Sequence, residues 1–308
     1  MKTQKNNEMR ACGTLIKRNV SMFFKDKGTF FTSLITPIIL LVLYATFLYN
    51  VYEDSFRGAL PAGIPIDDSL IQGLVGGLLL SSLLAVSTVT VPFCANLFTV
   101  QDKVTGARGD LSIAPVKTSS IALGYYIATV INGLIISFVA LAMGLLYLSF
   151  IGWYLSFVDV LMLMLDVVLL VLFGTALSSL ICYPLRSQGA MSAVGTIVSA
   201  GYGFICGAYM PISSFSKGLQ TTLVFLPGTH GTSLLRNHAL SGVFDAMLED
   251  HIPQEAVDAL RSVADCKLFL FDQAVEKWVM YLVLIGAIAV MIAAYVLIMV
   301  LAERKNRK

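Results

Sequence analysis

Residues 100–118 read VQDKVTGARGDLSIAPVKT, and the rest of the chain takes its arrangement from this stretch. It holds the basic residues Lys103, Arg108 and Lys117, the acids Asp102 and Asp110, and the turn-forming Gly106 and Gly109. Long runs almost free of charge flank it on both sides. A charged, glycine-punctuated turn between two such runs has no place in hydrocarbon, where its charges and unpaired backbone groups go uncompensated. It belongs at a water face, within reach of a soluble partner.

The composition agrees. Hydrophobic residues make up 57% of the 308, charged residues 13%, and the mean hydropathy is +0.80. Soluble domains carry roughly 25% charged residues, so the sequence describes an all-α polytopic membrane protein. The net charge of +2 sits in segregated blocks, with no dense basic stripe for nucleic acid. The first apolar run is too long for a leader and follows about thirty polar and amphipathic residues, so no cleavable signal is expected. The five cysteines, 12, 94, 182, 206 and 266, lack CxxC spacing. A Cys206–Cys266 bridge stays open; a metal framework is not expected.

Four parts follow in order. Residues 1–28 form a tail and an amphipathic helix from Met9, with Cys12, Leu15, Ile16, Val20 and Phe23 on one face and Lys17, Arg18 and Lys25 largely elsewhere. Residues 29–209 carry five apolar segments and the loop 101–118: Phe30–Val51, Leu70–Val100, Ile121–Ile151, Val158–Cys182 and Gly189–Tyr209. Residues 210–276 form an outer segment, and 277–308 a sixth segment, Trp278–Leu301, with a basic tail. Each apolar segment is near or above the ~20 residues that cross a bilayer, giving six transmembrane helices. The second and third exceed a span and should tilt or project; Pro37 and Pro92 should kink the first two. The segments 1–28, 101–118, 183–188 and 302–308 hold about 15 of the 21 Lys and Arg, which places both termini in the cytoplasm. The Asn19-Val20-Ser21 sequon then falls on the inner side.

In the fifth segment Gly195, Ser199, Gly203 and Gly207 recur every four residues, a stripe that lets another helix approach closely. Beyond it, Pro211, Phe215, an apolar run to Leu226, then Pro227-Gly228 and Leu234 to Arg236 read as a re-entrant hairpin between helices five and six. Irregular backbone at membrane depth is tolerated only against protein or a water-filled cavity, so this hairpin suggests an outer gate. Residues 244–272 read as a small external cap, with Pro253 opening a helix whose apolar face holds Val257 and Leu260.

Asp166, about a third of the way into the fourth segment, is the one ionisable residue at membrane depth. Two readings stand: a proton or substrate site, or a carboxyl holding a polar partner such as Asn132 or Ser137 on the third segment. The histidines 230, 238 and 251 match no metal template. No GxxxxGK[ST] phosphate loop, GxSxG or HExxH occurs, so the chain is not expected to be an enzyme or to hydrolyse ATP itself.

Together these features resemble the type-2 ABC exporter permeases. The resemblance rests on Leu15, Arg18, Asn19 and Lys25-Asp26 before a first span with Pro37. It continues in Asp102, Gly106, Leu111 and Pro115-Val116 of the inner loop, then in Met210-Pro211, Leu226-Pro227 and Leu235-Arg236 ahead of Gly242. The loop departs from the commonest pattern, reading Gly106-Ala107-Arg108 where the family has a Gly-Thr-Leu core. The resemblance implies that Asp102, Lys103, Gly106, Arg108, Asp110 and Leu111 couple to an ABC ATPase. It implies two ATPase subunits carrying ATP and Mg, a second permease copy or a related permease, and no cofactor bound to this chain. It further implies outward movement of an amphipathic substrate (drug, peptide or lipid) across a cell membrane, that of a bacterium, by alternating access. A polysaccharide or teichoic-acid exporter would share this topology. From another class, a proton-coupled secondary transporter would use Asp166, but no inverted repeat is visible.

Overall fold

In the computed structural model, residues 2–61, 66–109, 117–270 and 273–306 are described. The helices are α1 (Lys2–Lys25), α2 (Lys27–Leu43), α3 (Tyr49–Ala59), α4 (Asp68–Val104), α5 (Thr118–Ile151), α6 (Phe157–Cys182), α7 (Gln188–Ile205), α8 (Lys217–Val224), α9 (Pro227–Ala239), α10 (Ser241–Glu249), α11 (Gln254–Val263) and α12 (Lys277–Asn306). The departure from all-α is a ribbon of two strands, β1 (Phe269–Leu270) and β2 (Gln273–Ala274), in the cap. Among the described residues, five helices are long and apolar enough to cross a bilayer: Lys27–Ala59 taken as one, α4, α5, α6 and Lys277–Leu301 of α12. The expected sixth, α7, spans 18 residues diluted by Gly189, Gly195, Gly201 and Gly203, and falls short of that apolarity.

α4 is the axis. Its apolar core window is wholly buried, enclosed by α2, α5, α6, α7 and α9. Its 37 residues reach about 55 Å at 1.5 Å per residue, against about 30 Å of hydrocarbon, so its end stands clear of the bilayer. Enclosing such a helix favours polar groups that are satisfied internally. Ser81, Ser87, Thr88 and Thr90 turn their hydroxyls back onto carbonyls three or four residues earlier, while Ser82 Oγ is buried without a hydrogen bond.

Pro92 lies inside this helix and, having no N–H, leaves the Thr88 carbonyl without its usual donor. The neighbouring helices meet that irregularity with glycines. A Cβ on Gly174 of α6 would stand 2.5 Å from Thr88 O, and one on Gly133 of α5 3.0 Å from the Pro92 ring. Both helices close on α4 where its ladder is broken. Pro37 likewise lies inside α2, and the first span passes through a π-helical turn, Tyr44–Leu48, before it continues as α3. There Tyr44 stacks on Tyr52 at 5.6 Å and donates its hydroxyl to Val75 O of α4 at 2.6 Å. Gly174→Ala should cost about 1–3 kcal/mol by overpacking, read as a lower Tm of the detergent-solubilised protein; an unchanged Tm counts against this close approach.

Candidate functional site

Three buried carboxylates organise the candidate sites. The first is Asp102, which the length of α4 carries past the membrane core. Arg18 of α1 meets it with two hydrogen bonds, Nη1 to Oδ2 at 2.7 Å and Nη2 to Oδ1 at 2.9 Å, and Tyr125 of α5 donates its hydroxyl to the same carboxylate. The side chain of Asp102 is 5% exposed, that of Arg18 34%. Its hydrogen bonds to Asp102 hold the Arg18 guanidinium above its ordinary pKa, against its partial burial. Leu15, one turn back, lies against Gly124 and packs with Ile121 and Tyr125. The amphipathic α1 is thus fastened to the C-terminal end of α4 and the N-terminal end of α5 by an apolar seat and a bidentate ion pair, the geometry in which arginine binds carboxylate best.

This arrangement sorts the expected coupling residues. Asp102 is committed to Arg18 and Tyr125. Lys103 reaches the Tyr183 carbonyl at 2.5 Å and lies 4.9 Å from that ring's centroid, with the Arg108 guanidinium 6.0 Å from the same ring. Tyr183 packs edge-on to Tyr295, which stacks on Tyr126, so these cations cap an aromatic cluster between the start of α5, the end of α6 and the later part of α12. Gly106 adopts φ +84°, a left-handed turn that glycine takes without strain. What faces outward is Val104, Thr105, Gly106 and Gly109. Asp110 and Leu111 lie outside the described residues, as do Pro115 and Val116.

The second carboxylate, Asp265, clamps the segment between α7 and α12. It accepts from Arg236 Nη1 of α9 at 2.8 Å and from the backbone N–H groups of Ile212 at 2.6 Å and Ser213 at 3.3 Å. Arg236 Nη2 in turn donates to Gly207 O at 2.6 Å, and Ser233 Oγ to Asp265 O at 2.8 Å. Burial pushes the Asp265 carboxyl above the usual carboxylate range while Arg236 pulls it back. Cys206 and Cys266 are free and buried, and no bridge joins them. Of the other residues read as an outer gate, Pro211 precedes a 3-10 turn at Ile212–Ser214, Phe215 packs on the main core, Leu226 is the N-cap of α9 and Pro227 its first residue. Within the stripe, Gly195 faces Leu97 of α4, Gly203 receives the Tyr209 ring, Gly207 takes φ +78° at the end of α7, and Ser199 lines a cavity facing α2 and α3.

The third carboxylate is Asp166. It accepts from Tyr281 of α12 at 2.7 Å and lies 2.6 Å from Nδ1 of His238 on α9. Asn132 is not among its partners: Asn132 Oδ1 and Ser137 Oγ are buried without hydrogen bonds. The role of His238 carried no signal in the sequence beyond a titratable residue in a short apolar segment.

Arg236 and Asp265 are 1% and 5% exposed, so removing one partner strands the other. Arg236→Ala should cost about 3–5 kcal/mol, seen as a large loss of monodisperse protein. Asp265→Asn, whose one remaining oxygen can still accept from Ile212 N–H and Arg236 while the contact to Ser213 N–H is lost, should cost less. Equal and small losses would remove the clamp.

Comparison with known proteins gives one result. The model of the ABC-2 type transporter family matches residues 10–239, about three quarters of the chain, and the comparison with curated proteins found no match. Permeases of this family are the generally non-catalytic membrane components that work with ABC ATPase subunits. The match begins within α1 and runs through α9, taking in Arg18, Tyr125, Arg236 and His238, four side chains that meet the buried carboxylates. With apolar helices suited to repeated crossing of a membrane, this multi-pass protein belongs to the ABC-2 type transporter family.

Proposed function

We propose that the chain is the permease subunit of an ATP-driven exporter, paired with a second permease and with two ABC ATPase subunits beneath, both termini being cytoplasmic. The observation that carries this reading is the Arg18–Asp102–Tyr125 knot. It ties the amphipathic helix and the inner loop to the end of a helix that is enclosed along its core. A push at the inner face therefore moves α1, α4 and α5 together and reaches the centre of the bundle as a rigid-body displacement. On this reading the ATPase touches Val104, Gly106 and Gly109, with Asp110 and Leu111 completing the coupling surface. Asp102, Lys103 and Arg108 hold that surface in place.

α7 would supply the sixth crossing, and α8 and α9 the re-entrant gate. A cavity of about 620 Å³ lies between α2–α3 and α7, lined by Ile39, Phe47, Phe204 and Met210 with Ser55 and Ser199 among them. Its mostly apolar wall with a few hydroxyls supports an amphipathic substrate. The site is in a bacterial plasma membrane on this reading, and ATP with Mg sits on the partner alone.

The test is to co-purify the complex, reconstitute it, and follow ATP hydrolysis stimulated by candidate amphipathic compounds. Gly106→Val forces a β-branched residue into left-handed backbone, and Val104→Asp places a charge on the outward face. Both should lower transport-linked hydrolysis severalfold while membrane insertion and assembly persist. Arg18→Ala should release α1 and uncouple hydrolysis from transport. Full stimulated activity in all three variants would overturn the assignment of the inner loop.

A further inference from the structure

α9 has two polar faces with opposite attachments. Ser233, Arg236 and Asn237 tie it to the cap and to the end of α7: Arg236 to Asp265 and Gly207, Ser233 to Asp265 O, and Asn237 Nδ2 to Cys266 O at 2.7 Å. On the side toward the bundle, Gly231 lies against Leu170 of α6. There, among the described residues, one side-chain hydrogen bond joins α9 to α6, that between His238 and Asp166. Asp166 is 1% exposed and His238 12%, so water does not replace either partner while the helices are closed.

The chemistry of this contact is restrictive. The Asp166 carboxylate has Tyr281 donating to Oδ1 and His238 Nδ1 beside Oδ2, so three helices distant in sequence meet at one carboxyl group. Deleting either donor leaves a buried acceptor partly unsatisfied, a loss larger for a charged group than for a neutral one. Leu163, Asp166 and Leu170 follow at i, i+3 and i+7 along one face of α6, and all are buried. α9 meets this face at Leu170, through Gly231, and at Asp166, through His238, so the contact pairs an apolar seat with a polar lock.

We infer that His238, Asp166 and Tyr281 form a latch that holds α9, and with it the cap, shut against α6 and α12, and that the latch must part whenever the outer side opens. This rests on the reading of α9 as the outer gate. The three are positioning residues: they set how often α9 lifts and take no part in moving the substrate. The latch requires hydrogen bonds and no net charge. Asp166→Asn can keep both contacts, its Oδ1 accepting from Tyr281 and its Nδ2 donating to the unprotonated Nδ1 of His238. A proton relay through Asp166 has no such tolerance.

The experiment labels a Leu170→Cys variant of the full complex, at the position Gly231 of α9 lies against, with a membrane-impermeant maleimide, in intact cells and in inside-out vesicles. The parent chain with its own cysteines gives the background. Without stimulating compound, labelling from outside should be slow. His238→Leu should raise its rate about tenfold, the shift in an equilibrium that follows loss of one hydrogen bond to a charged acceptor. Tyr281→Phe, which deletes a single oxygen and keeps the ring packing, should raise it less, and it supplies the readout if His238→Leu gives no monodisperse protein. Asp166→Asn should stay within about threefold of the parent and still transport, since both hydrogen bonds can be remade. Unchanged outside labelling in a folded Tyr281→Phe or His238→Leu protein overturns the latch and leaves the gate standing. So does loss of transport in Asp166→Asn with slow labelling, which would favour a proton relay. Labelling confined to inside-out vesicles overturns the gate reading itself.

Discussion

A carboxylate taken out of water must be met by donors, and this protein uses that demand to join helices far apart in sequence. Asp102 gathers α1, α4 and α5 at one end of the bundle. Asp166 gathers α6, α9 and α12, and Asp265 binds α9 to the turn after α7. Apolar packing alone gives little direction in hydrocarbon, because lipid tails satisfy a leucine as well as another helix does. The buried acids supply the missing specificity, since a displaced helix would leave an unpaired charge.

Between these fastenings runs α4, enclosed by the helices that they join. The break at Pro92 shows how that enclosure is reached. A freed carbonyl at Thr88 is a liability in an apolar bundle, and Gly174 and Gly133 let the flanking helices cover it closely. The proline and the two glycines act as a unit, though they lie on three helices.

Five of the six expected crossings were legible because apolar runs of this length have few other readings, the glycine-diluted α7 being the exception, and α1 because Leu15 and Phe23 share a face that the structure buries. Less legible was whatever depended on where a helix ends in space. Asp102 reads as part of an exposed loop, yet α4 runs on through Val104 and carries that side chain under α1. The partner of Asp166 was sought on the third span because Asn132 and Ser137 lie at suitable depth there. Depth along a helix says nothing of which face points where, and the contact came from His238, 72 positions away. The Pro92 break was readable, its glycine partners were not, and no residue pattern announced the turn at Tyr44–Leu48.

That wide turn decides which way the first span faces. Leu40, Tyr44, Tyr52 and Phe56 are all buried although multiples of four residues separate them, and an ordinary helix loses roughly 40° of register for each four residues. Left uncorrected, Phe56 would have swung nearly to the opposite side from Leu40. One wide turn takes up an extra residue and brings the later part of the helix back toward α4. The chain thereby keeps a single continuous seam, bowed rather than spiralling, and leaves Phe47 and Val51 free to wall the cavity beside α7.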